Sequence, residues 1–168
     1  MDFKNKIEMI IGFFENLCGV CDQFESVGVW NEEVPLRKMF TLEYAAFMMY
    51  LSASDGCIHD NEAKLIYAIT GYDQRPEEIE AFVERENIYS EEFEERTPTI
   101  FAVACEFERI CYANGLDPKK QSFVEQFFML YKLTGELLLE IDGEVSDDEY
   151  EDLNIYMNNI EQFIKSYD

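Results

Sequence analysis

Apolar residues recur at spacings of three and four along most of the chain, and no apolar–polar alternation of useful length interrupts them. That period predicts an all-α protein of about seven helices. The first helix is expected over 3–27, with Ile7, Ile10, Ile11, Phe14, Leu17, Cys18, Cys21 and Phe24 on one stripe and Gly28 as its C-cap. A connector with Trp30 and Pro35 leads into a second helix, from about Pro35 or Met39 to Ser54. Its stretch 44–51 is apolar on every side, the pattern of a helix buried centrally. Residues 60–69 form the third helix, ending at Thr70-Gly71, and Pro76 opens a short fourth with Glu77 and Glu78 at its positive end. The highly charged 86–96 reads as a seam between two halves. Thr97 is the expected N-cap and Pro98 the first residue of a helix reaching Asn114-Gly115. Asp117-Pro118 starts a long helix through Phe127, Leu130 and Leu137 to Ile141. In the last helix, Ser146 and Glu149 form a capping box ahead of Leu153, Tyr156 and Ile160. The Phe and Met clusters at 47–49 and 127–129 are expected in the core.

The second helix and the long helix near the end close in the same way. Aligned on their Asp-Gly pairs, Asp55, Gly56, Ile58, Asp60, Asn61 and Glu62 fall on Asp142, Gly143, Val145, Asp147, Asp148 and Glu149, 87 residues later. Six similar positions in an eight-residue window predict an internal duplication of two helix–loop–helix units. The whole chain, 1–168, is expected as one domain, with repeats at 40–85 and 98–166 preceded by a helix and connector over 1–38.

Two readings of the repeated loop are open. In the structural one, glycine ends a helix by taking left-handed dihedrals, Ile58 or Val145 plugs the core, and Asp60 or Ser146 caps the next helix. In the chemical one, Asp55, Asp60 and Glu62, or Asp142, Asp147 and Glu149, are hard oxygen donors gathered by a tight turn for a divalent cation such as Ca²⁺, Mg²⁺ or Mn²⁺. A true EF-hand is excluded. With Gly56 or Gly143 at the sixth loop position, the first falls on Leu51 or Leu138 and the third, in the first copy, on Ala53. Cation binding would then use fewer carboxylates plus water, or both loops meeting across a pseudo-two-fold. The second loop is the richer, with nine acids and no Lys or Arg between Glu136 and Asp152.

An apolar helix followed by Asp-Gly-x-Ile/Val-Ser-x-x-Glu, twice in an all-helical chain, resembles the TerB-like (tellurite-resistance) superfamily. Its relatives include the N-terminal domain of certain membrane-anchored J-domain co-chaperones. The resemblance covers roughly 40–155 and leaves the first helix and the Trp30 connector outside it. The second copy, from Asp142 to Glu149, matches well, while the first departs at Cys57, where an acid is expected, and at His59, where Ser or Thr is expected. The resemblance implies a bacterial, non-enzymatic domain linked to stress or phage and colicin resistance, with acidic loops that bind divalent cations and partners that are often membrane-associated.

Charge narrows the partners. With 13 basic against 36 acidic residues, the net charge is −23, which repels nucleic acid and anionic lipid and attracts cations or basic protein surfaces. The longest apolar run, 44–51, is too short to insert into a bilayer, and Glu8 and Glu15 break the N-terminal apolar stretch at helical spacing, unlike a signal-peptide core. Five cysteines, an odd count, fit reduced, mostly buried thiols in a cytoplasmic protein. Cys18 and Cys21 have redox-motif spacing but sit mid-helix on the apolar stripe, so packing is the expected role. His59 is the single histidine, which argues against a di-iron bundle and against most acid–base mechanisms. Three functions follow: a weakly cation-binding domain that docks a protein partner, an acidic inhibitor or immunity-type module whose loops are purely structural, and, last, a metal-dependent hydrolase.

Overall fold

The computed structural model describes residues 2–117, 122–141, 143 and 145–167. Among these, all regular structure is helical: α1 (Phe3–Ser26), α2 (Leu36–Ser52), α3 (Asp60–Thr70), α4 (Pro76–Arg85), α5 (Glu91–Glu95), α6 (Thr99–Ala113), α7 (Phe123–Ile141) and α8 (Asp147–Ser166). The stripe on α1 is buried as its spacing requires, at Ile10, Phe14, Leu17, Cys18, Cys21 and Phe24. The all-apolar stretch of α2 is likewise enclosed, because α2 packs on α1, α3, α4, α6, α7 and α8. α7 is the second central helix, against α1, α2, α3, α6 and α8. Since α1 touches both central helices, the N-terminal segment shares one continuous core with the rest of the chain.

Aromatic rings run through that core as a connected series. Phe14 stacks on Tyr44 at 5.1 Å, Tyr44 meets Tyr131 edge-on at 5.2 Å, and Phe47 bridges Tyr131 at 4.9 Å and Tyr156 at 4.8 Å. Tyr50 extends the series to Phe93 on α5 at 5.4 Å. Such pairs each contribute about 1 kcal/mol beyond the area they bury. Tyr44 and Thr134 hydrogen-bond to each other across α2 and α7.

Several helix starts are capped from a distance. Pro35 and Pro98 precede α2 and α6, and proline offers neither a side-chain acceptor nor an N–H. The first-turn amides left without an intrahelical partner are met instead by glutamates of an earlier helix. Glu25 of α1 accepts from Leu36 N at 3.0 Å, and Glu43 of α2 accepts from Thr99 N at 2.7 Å and Thr99 Oγ1 at 2.8 Å. Glu108 of α6 accepts from Val124 N at 3.2 Å and Ser122 Oγ at 2.7 Å at the start of α7. Part of the acidic excess is therefore structural, because an anion at a helix N-terminus satisfies orphan N–H groups and opposes the dipole.

Five expectations need correcting. α6 begins at Thr99, one residue late, because Glu43 supplies the cap that Thr97 was expected to give. The charged 86–96 is more than a seam: it contains α5, whose Phe93 packs on Tyr50 and Tyr156. Asp60 is the first residue of α3 rather than its cap, which is His59. Ile58 is buried, but Val145 is 53% exposed and plugs nothing. Met129 stands 45% exposed beside a fully buried Phe127. The start expected at Asp117-Pro118 runs into residues outside the described ones, and the described part of α7 opens at Phe123.

Candidate functional site: a cleft between the two Asp-Gly loops

The α2–α3 loop turns at Gly56, whose φ of 84° suits glycine, and the α7–α8 loop turns at Gly143 with a φ of 74°. Both loops then enter a helix through the same device. Glu62 Oε2 accepts from His59 N at 2.9 Å, and Glu149 Oε2 accepts from Ser146 N at 3.1 Å while Ser146 Oγ accepts from Glu149 N at 3.1 Å. Both glutamates are buried, at 2% and 6% exposure, so their carboxylates are committed to backbone amides.

The two loops line one open cleft of about 720 Å³. Asp55, His59, Asp60, Asn61 and Lys64 come from the first unit, and Val145, Ser146 and Glu149 from the second. Asp55 is folded onto its own loop: Oδ1 accepts from Cys57 N at 3.1 Å, and Oδ2 lies 2.9 Å from His59 Nε2. Of the six residues expected to hold a cation, the cleft thus gathers Asp55, Asp60 and Glu149. Glu62 and Asp147 are not on its walls, Glu62 being buried in its capping role and Asp147 exposed on the first turn of α8. Asp142 lies outside the described residues.

Chemically the cleft offers hard oxygen donors on both walls, with Lys64 among them. Among the described residues, no three His, Cys, Asp or Glu side chains are grouped where they could hold a metal ion. A cation entering here would be met by one or two carboxylates and by water rather than by a preformed cage. Lys64 escaped the sequence reading and Asn61 entered it only as the counterpart of Asp148, although their i, i+3 spacing at the start of α3 puts them on one helix face.

No cysteine lines the cleft, although Cys57 belongs to the first loop and its N–H donates to Asp55. Cys18, Cys21 and Cys105 are buried, Cys57 is exposed, and none is in a disulfide. Burial pushes the Cys18 and Cys21 thiols up and the Cys105 thiol to about 11, which keeps all three protonated and unreactive. No helix among the described residues is long and apolar enough to cross a membrane. No family model matches the chain, and no curated protein or solved structure matches it either.

Proposed function

We propose that the chain is a cytoplasmic, non-enzymatic, TerB-like helical domain, built by duplication of a helix–loop–helix unit, that takes up a divalent cation weakly and docks a protein partner. One observation carries the cation reading: loops 87 residues apart in sequence present Asp55, Asp60 and Glu149 to a single cleft. Weak affinity follows from the donor count, since carboxylates already serving as caps must leave or share their amides to bind an ion. The net charge of −23 selects basic partner surfaces and disfavours nucleic acid.

A second reading is favoured by the commitment of Glu62, Glu149 and Asp55 to amides and to His59. In it the loops are helix-capping structures, and the acidic surface alone acts, as in an inhibitor or immunity-type module. Thermal unfolding of chelator-treated protein with Ca²⁺, Mg²⁺, Mn²⁺ and Zn²⁺, against NaCl at matched ionic strength, separates the two. The cation reading expects an ion-specific rise of about 3–6 °C at roughly tenfold over Kd. The rise should shrink in an Asp55→Asn/Asp60→Asn variant, where the side-chain amide oxygen replacing the Asp55 carboxylate can still accept from Cys57 N. A rise no larger than that from NaCl would leave the second reading standing.

A further inference from the structure

Away from the loops, a groove of about 230 Å³ lies between α2, α4, α5, their connections and α8. Leu42, Ala46, Phe82, Ile88 and Phe93 give it an apolar wall. It runs from an exposed edge to a buried end, since Leu42 is 42% exposed whereas Ile88 and Tyr156, which also line it, are 3% and 1% exposed. Glu43 lies along it with both carboxylate oxygens held by Thr99; burial raises its pKa, and the Thr99 bonds and Arg96 oppose the rise.

The segment 84–96, which frames one side of this concavity through Glu86, Ile88, Phe93 and Arg96, is acidic overall. The stretch 84–96 carries Glu84, Glu86, Glu91, Glu92, Glu94 and Glu95 against Arg85 and Arg96 alone. Each arginine has a glutamate of its own: Arg85 Nε lies 3.1 Å from Glu86, with its guanidinium 5.3 Å above the Phe82 ring, and Arg96 lies 3.7 Å from Glu92. The remaining negative charge is unmatched by any cation of that stretch. An anionic ligand would be repelled here, and a small neutral one would gain nothing from the frame. A basic segment with one bulky apolar side chain uses both features, the frame for encounter and the groove for burial.

We propose that this groove is where a partner protein docks, inserting a Phe or Leu side chain from a lysine- or arginine-rich segment between α2, α4 and α5. The proposal rests on the partner-docking reading above and adds the place and the chemistry of contact. It is tested by fluorescence anisotropy with a short labelled Lys/Ser peptide carrying a central Phe, and with the same peptide carrying Ala there. The full chain should bind the Phe peptide about tenfold more tightly, the worth of burying one aromatic side chain. Leu42→Glu, at an exposed position that the fold does not need, should abolish that preference although it adds a negative charge favouring both peptides. Circular dichroism confirms that the variant is folded. Equal binding of the two peptides to the wild type would overturn the groove while leaving the partner-docking reading intact. Absence of binding by either peptide at low ionic strength would overturn both. A Leu42→Glu protein that kept the preference would also overturn the groove.

Discussion

The two Asp-Gly loops share a grammar and differ in what they lean on. In the first, Ile58 is 4% exposed and its N–H donates to Glu80 of α4 at 3.0 Å, so a neighbouring helix braces the loop from outside. In the second, Val145 occupies the matching position at 53% exposure, on the wall of the cleft. The caps are both capping boxes but are built from different residues. Ser146 pairs with Glu149 in the second loop, whereas in the first His59 takes the serine's place opposite Glu62 and its ring also meets Asp55 at 2.9 Å. A loop motif thus fixes the backbone path, while the next element in space decides whether its apolar residue becomes core or surface.

That contrast can be broken most sharply at the apolar position. Ile58→Ala should cost about 2–4 kcal/mol, because a buried side chain is removed from a packed site, while Val145→Ala should stay within about 0.5 kcal/mol. Urea denaturation of the two variants measures the difference, and equal losses would mean that Val145 is also core. The glycines test the likeness instead. Gly56→Ala and Gly143→Ala each force a side chain into left-handed backbone and should each cost about 1 kcal/mol by the same measurement. A large loss at only one of them would show that the loops do not share a turn. The smallest effect is expected from His59→Ser, which gives the first loop the cap of the second. A gain of a few tenths of a kcal/mol is the expected balance between a better cap and the lost contact with Asp55. A loss above about 1 kcal/mol would make the His59–Asp55 pair the main support of that loop.

Much of this architecture is written locally and could be read. The α1 stripe, the enclosed α2, the Ser146–Glu149 box and the left-handed turns at Gly56 and Gly143 all follow from residues within a few positions of one another. What escaped depends on neighbours distant in sequence. Glu43 caps a helix 56 residues away, so Thr97 had no reason to look unsuitable. α5 is a five-residue turn whose only apolar residue, Phe93, becomes meaningful once Tyr50 and Tyr156 are beside it. The meeting of the two loops in one cleft was open as an alternative, but its walls were not legible. Lys64 reads as an ordinary surface residue of a helix, and Asn61 only as the counterpart of Asp148, until the second loop is set opposite them.

The long-range glutamate caps also bear on how the molecule comes apart. Glu25 of α1 serves the start of α2, Glu43 of α2 serves α6, and Glu108 of α6 serves α7. Each helix in this relay needs an earlier one in place before its own first turn is complete, and short helices are poorly nucleated alone. Neither half of the chain is then a self-sufficient block: cutting it between α5 and α6 would separate α6 from the carboxylate that starts it. Cooperativity is built into the connections as well as into the core, and the chain should melt in one transition rather than by halves.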